Sequence, residues 1–294
     1  MYKKHDLPSL SLGSANFNNH YGTFKKTFIS SEEQNELLEV AWQSGFRHID
    51  TAISYKGVHK EIGQLDSFEA HDWKLTTKIP SLKSNISKLE AIEEVESLVN
   101  KSLELLKIER LDSVLIHDHT IQSRPKDLEH VIQALELLRD KGLIKSLGIS
   151  LYEPIKNASL IDYIKQNNFF VIQGPLSIFD RRLESYCVDN NNVSFEARSI
   201  FLQGMLLDKE RYLKYFKERN EINKFNDWLD SLNVSAYEAC VSFIKYSGAN
   251  KVIVGIGNLH ELMEFNEIFC KVNELNPPIF CTNDMITNPL NWVK

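Results

Sequence analysis

Gly45-Phe46-Arg47-His48-Ile49-Asp50-Thr51-Ala52-Ile53-Ser54-Tyr55 is the stretch that decides how this chain is read. A short strand-like run, Phe46 to Ile49, ends in an acid, and a tyrosine follows on the next loop. Two later runs repeat the arrangement: Trp73-Lys74-Leu75-Thr76-Thr77 ends in Lys78, and Leu111-Asp112-Ser113-Val114-Leu115-Ile116 ends in His117. The carboxyl ends of parallel strands are where a β/α barrel carries its chemistry. Asp50, Tyr55, Lys78 and His117 converging there point to proton transfer to or from a polarised oxygen.

Working outward, helical and strand patterns alternate. Ser30-Ser31-Glu32-Glu33 is a helix start, with a capping hydroxyl and early acids, and Gly45 is the stop. From Ser87 to Leu106, Leu89, Ile92, Val95, Val99, Leu103 and Leu106 recur every three or four residues, an amphipathic helix. Helix Asp127–Lys141, strand Ser146–Ser150 and a helix opening after Pro154 follow. Phe169 to Gln173 is continuously apolar until its last residue, as in a strand buried on both faces. A weaker helix from Arg181, strand Val193–Arg198, helix Ser235–Tyr246, strand Lys251–Gly255 and helix Asn258–Val272 complete the series, before an irregular tail from Pro277. About eight strand–helix units without a linker-like break predict an α/β chain folded as one (β/α)8 TIM-barrel domain over residues 1–294. Residues 208–232 are longer than a usual connection and read as a helical insertion, a lid or a flank.

The 294 residues are 43% hydrophobic and 25% charged, enough for a sizeable core. A formal net charge of −6 argues against nucleic acid or an anionic membrane as partner. No run reaches the roughly 18 apolar residues of a membrane span, and the N-terminus lacks the apolar core of a signal peptide. Cys187, Cys240, Cys270 and Cys281 lie far apart without CxxC spacing, as in reduced thiols of a cytoplasmic protein. His117 and His119 alone do not make a zinc site, so no metal is expected.

Taken singly, each of the four polar residues has an ordinary structural explanation; their joint register on successive strands is what argues for chemistry. Gly45 to Ala52 with Tyr55 and Gly63 resembles the signature of the aldo-keto reductases. Leu75 to Lys78 resembles that family's lysine strand, Ser102 to His117 its histidine motif, and Leu135 to Ser150 the next motif. Gly13-Ser14-Ala15-Asn16-Phe17 with Tyr21-Gly22, and the loop from Arg198, resemble a bacterial branch linked to sugar and polysaccharide metabolism.

The resemblance implies a nicotinamide cofactor, NADP(H) or NAD(H), held without a GxGxxG fingerprint, and a carbonyl or sugar substrate. Tyr55 is then the proton donor or acceptor. A free phenol, with a pKa of about 10, is a poor participant near neutrality; a cation at Lys78 favours the phenolate, Asp50 holds that lysine, and His117 orients the carbonyl oxygen. Ser150 and Gln173 match the positions that hold the carboxamide of the nicotinamide. Arg198, Ser199, Gln203 and Gly204 match the loop over the ring and pyrophosphate, with Gly13, Gly255, Asn258 and Glu261 as further cofactor contacts. Phe17 and Tyr21 are candidates for the substrate mouth, or packing residues of the N-terminal loop.

Departures from the pattern shape the expectation. Leu151 stands where many members carry asparagine, and Arg198 where many stack an aromatic ring. Gly255 and Glu261 stand where members selecting the 2′-phosphate present a base. An acid there repels a dianionic phosphate and can accept from a ribose hydroxyl, so NADH becomes a plausible partner beside NADPH. The expectation is thus an NAD(P)H-dependent oxidoreductase acting on an aldehyde, ketone or sugar carbonyl, in either direction. The alternative is a cofactor-binding sensor or regulatory subunit with little turnover.

Overall fold

Alternating strand and helix patterns become a closed ring in the computed structural model, which describes residues 7–17, 29–167, 170–188, 193–217 and 219–292. Its strands are β1 (Ser9–Gly13), β2 (His48–Asp50), β3 (Lys74–Pro80), β4 (Leu111–His117), β5 (Ile144–Ser150), β6 (Phe170–Pro175), β7 (Val193–Arg198) and β8 (Lys251–Gly255). Each lies parallel to the next, and β1 pairs with β8, with Gly13 opposite Gly255. The fold is the (β/α)8 barrel. Every position of β6 is buried, because the lumen fills one face of a barrel strand and the outer helices cover the other.

Local signals set the helix ends. Ser30, Ser87 and Ser235 each accept from the backbone amide three residues on, while Glu33, Glu90 and Glu238 reach back to the capping amide. These are capping boxes, satisfying donors that a helix start otherwise leaves open. The helix Lys88–Leu106 buries Ala91, Val95, Val99, Ser102, Leu103 and Leu106. Leu89, which the spacing assigned to that stripe, is 65% exposed, and Ala91 takes the inward place. Gly63 ends the short helix Val58–Ile62 where a Cβ would stand 2.2 Å from the Leu105 carbonyl oxygen. Only glycine permits that approach.

Two expectations, at Pro154 and in the tail, are corrected. Pro154 does not open a helix: the next one is Ala158–Gln166, capped by the Asn157 side chain on the Leu160 amide. Residues 208–232 form two helices, Lys209–Tyr215 and Asn220–Leu232. The tail is not wholly irregular, since Asp284–Thr287 is a helical turn. The paired helices are built into the hydrophobic core: Phe225 packs edge-on to Phe179 and Phe280, and Tyr212 edge-on to Phe179. Phe225 and Tyr212 are fully buried, and burying a ring of that size contributes about 1.5–3 kcal/mol. Among the described residues no helix is long and apolar enough to cross a membrane.

Candidate active site

Because all strands run the same way, Asp50, Lys78 and His117 come to the same mouth of the barrel. The Lys78 ammonium donates to Asp50 Oδ2 at 2.6 Å and to the Thr51 carbonyl at 3.0 Å. Both partners of the ion pair are buried, Lys78 at 2% and Asp50 at 5% exposure. Tyr55 is carried by the loop after β2, where its amide donates to the Ala52 carbonyl and its carbonyl accepts from the Val58 amide. The Lys78 nitrogen stands 5.7 Å from the centroid of the Tyr55 ring. The structure therefore assembles three of the four expected residues in direct succession: acid, cation and phenol.

His117 completes the wall. Burial, reinforced by the charges of Lys78 and Arg198, lowers its pKa to about 4. It is thus a neutral imidazole near neutrality, able to donate or accept a hydrogen bond at an uncharged oxygen. Next in the chain, the buried Asp118 is paired with Arg124, which also bridges to Asp127 at 2.8 Å and fixes the loop after β4.

On the opposite wall, Ser150 of β5 and Gln173 of β6 are partners in register, and the Ser150 hydroxyl donates to Gln173 Oε1 at 3.4 Å. Arg198 closes that side. Its guanidinium lies over the Tyr152 ring at 4.4 Å and donates to the Leu151 carbonyl at 2.9 Å and to Ser199 Oγ at 3.4 Å. The loop beyond holds Ser199, Leu202, Gln203 and Gly204 all at positive φ, a concentration of strain typical of ligand-binding backbone. The Gly204 amide already donates to the Phe201 carbonyl, leaving the Ser199 hydroxyl as the side-chain donor of the expected anion site.

At the β8 end, Asn258 caps the helix Leu259–Lys271 by accepting from the Glu261 amide at 2.9 Å. The Glu261 carboxylate folds back and accepts from the Gly257 amide at 2.8 Å. An anion thus already occupies this helix start. Gly13 has little room for a side chain, since a Cβ would meet Ile253 and the Val254 carbonyl at 3.3 Å, while one at Gly255 would only touch Asn16 Nδ2 at 3.7 Å. Phe17 is 1% exposed within the hydrophobic core, in line with its packing alternative. Tyr21 lies outside the described residues. Among those residues no His, Cys, Asp or Glu side chains gather in a group able to hold a metal ion, and all four cysteines are unpaired.

Two residues at this site escaped the sequence reading. Gln173 Nε2 donates to Asp50 Oδ1 at 2.7 Å and to Glu196 Oε2 at 3.2 Å, and Lys251 donates to Glu196 Oε1 at 2.6 Å. Glu196 is 1% exposed. The available signal was weak: Phe195 and Ala197 lie on the opposite face of the strand, and only the closure of the barrel makes the face of Glu196 an inner one, where a charge needs a buried partner.

A second histidine behind the site makes the protein acid-sensitive. His59 is buried against the Thr77 hydroxyl at 3.2 Å. Burial first, then the Lys78 charge, lowers its pKa from 6.5 to about 4. The unfolded chain binds this proton below pH 6.5, and the folded one only near pH 4. Stability therefore falls as pH drops through that window. His59→Gln, which keeps a hydrogen-bonding group, should reduce the loss between pH 7 and pH 5 by about 2 kcal/mol. Urea denaturation at both pH values measures it, and an unchanged loss would remove His59 as the cause.

Comparisons with known proteins converge on one family. The aldo/keto reductase family model matches residues 9–277. The chain is 28% identical over 212 residues to the uncharacterized oxidoreductase YqkF of Bacillus subtilis, covering 69% of this chain and 64% of that protein. It is 29% identical over 208 residues to the glyoxal reductase of the same organism, covering 68% and 69% respectively. D-threo-aldose 1-dehydrogenase of a Pseudomonas species is 23% identical over 235 residues, covering 69% of each chain. The holo form of aldo-keto reductase AKR11C1 from Bacillus halodurans shares the fold with a TM-score of 0.68 at 19% identity, covering 92% of this chain and 89% of that one.

Proposed function

The chain belongs to the aldo/keto reductase family, whose members are NAD(P)-dependent oxidoreductases, and we propose that it interconverts a small aldehyde, ketone or sugar carbonyl and its alcohol with Tyr55 as the proton-transferring group. The observation that carries this reading is the buried Lys78–Asp50 pair beside the Tyr55 ring. A fixed cation there favours the phenolate and lets the phenol give up its proton at neutral pH. His117, neutral by burial, hydrogen-bonds the substrate oxygen and sets its direction. Similarity to a glyoxal reductase and to a D-threo-aldose 1-dehydrogenase supports a small polar carbonyl compound as the substrate.

The residues present fit a nicotinamide dinucleotide. When bound, that group supplies or takes the hydride. Ser150 and Gln173 offer acceptors to its carboxamide, and Ser199 with the strained loop up to Gly204 would take the pyrophosphate side. At the adenosine end Glu261 places a carboxylate on the Gly257 amide, which suits a ribose hydroxyl and repels a 2′-phosphate. NADH is therefore the favoured cofactor.

Titration with NADH and NADPH, followed by nicotinamide fluorescence, should show saturable binding with NADH the tighter. Glu261→Arg removes the competing carboxylate and should shift the preference toward NADPH by about tenfold or more, one favourable charge-assisted contact. An unshifted ratio would move the 2′ subsite elsewhere. A panel of glyoxals, aldoses and aromatic aldehydes then tests turnover: tight binding with no reduction of any of them would favour a sensor.

A further inference from the structure

The floor of the site is a polar bar laid across the barrel. β2 and β6 are four strands apart in a ring of eight, on opposite walls, yet Gln173 reaches Asp50 directly at 2.7 Å. Ser150, Gln173, Glu196 and Lys251 are successive partners in register on β5, β6, β7 and β8, so they form one continuous row around that wall. The chain of contacts runs Lys78–Asp50–Gln173–Glu196–Lys251, with every member buried. Barrel layers are ordinarily filled by branched apolar side chains. A buried ion pair is often no more stabilising than apolar residues of the same shape, so stability alone does not account for Glu196 and Lys251.

Their geometry does. The Gln173 NH₂ group lies between two carboxylates, from Asp50 and from Glu196. Turning the amide over would set its carbonyl oxygen against both acids. The Gln173 carbonyl is therefore held away from them, on the side of Ser150, whose hydroxyl proton it accepts. Ser150 is left with oxygen lone pairs. We propose that Glu196, held in place by Lys251, is a positioning residue that locks Gln173 so that Gln173 Oε1 and Ser150 Oγ face the cofactor as two acceptors, selecting a ligand that presents an N–H₂ donor. This rests on the nicotinamide reading above: the donor is the carboxamide nitrogen.

Glu196→Leu/Lys251→Met removes the pair without stranding a charge. Glu196→Gln is nearly isosteric and keeps an acceptor for Lys251, but turns a second NH₂ toward Gln173 and unlocks it. Both are compared with the wild-type protein for binding of NADH and of reduced 3-acetylpyridine adenine dinucleotide, whose acetyl group lacks the N–H. The wild-type protein should prefer NADH by about tenfold or more, as expected for one hydrogen bond lost at a buried acceptor. Both variants should lose part of that preference, since Asp50 still holds one N–H of Gln173, with cofactor KM moved more than kcat. A folded variant of either kind that keeps the wild-type ratio overturns the role of Glu196. Failure of the wild-type protein to bind either dinucleotide overturns the nicotinamide reading, and the proposal with it. A wild-type protein that binds both equally overturns only the acceptor polarity.

Discussion

Tyr55→Phe should lower kcat for carbonyl reduction by about 10²- to 10⁴-fold, the range of a lost general acid, while cofactor affinity stays nearly unchanged. The substitution removes one oxygen and leaves the ring in its place against the core. The Lys78–Asp50 pair, the Gln173 contacts and the Glu261 fold-back do not include that oxygen. His117 is a poor replacement, because its pKa of about 4 leaves almost no imidazolium at pH 7. Single-turnover reduction followed by loss of nicotinamide absorbance, beside a binding titration, separates the two effects. Retained turnover at pH 7 would exclude Tyr55 as the proton donor. Residual turnover that grows as pH falls toward 4 would name His117 instead.

Lys78→Met should cost both folding and function. Asp50 would remain buried with its nearest cation gone, and breaking a buried pair from one side destabilises by about 3–5 kcal/mol. The amide of Gln173 still donates to Asp50, which places the loss toward the lower end of that range. Lys78→Met/Asp50→Asn should recover most of the stability, since the uncompensated charge is gone and a side-chain oxygen remains for Gln173. Turnover should not recover, because the phenol has lost its cation. Guanidinium denaturation of the single and double variants reads the first part, and steady-state reduction the second. A single variant as stable as the wild-type protein would mean that Asp50 is hydrated in solution.

The parts of this architecture that are written locally were readable in the chain. Ser30, Ser87 and Ser235 each announce a helix with a glutamate three residues later, and the acid, lysine and histidine at successive strand ends give the site its register. What depends on distant partners was not readable. Leu89 fits the helical spacing but falls just off the buried face. Pro154 is compatible with a helix start, yet the Asn157 side chain supplies the actual cap three residues on. Glu196 alternates with Phe195 and Ala197 as a solvent-facing residue would; only the curvature of the ring turns it inward to Lys251 and Gln173.

The pairing of β1 with β8 has a consequence for how the chain comes to exist at all. Ser9–Gly13 waits for Lys251–Gly255, so the first strand made is the last to find its second neighbour. During synthesis a growing chain carries two open strand edges, one at each end of an unfinished sheet, and such edges are templates for pairing with other chains. Loss of the segment from Lys251 onward would make that state permanent. It would strip β1 of one neighbour and β7 of the other, together with the cation that Glu196 holds. Truncation there turns an edgeless barrel into an aggregation-prone sheet, although Asp50, Tyr55, Lys78 and His117 would all still be present in the chain.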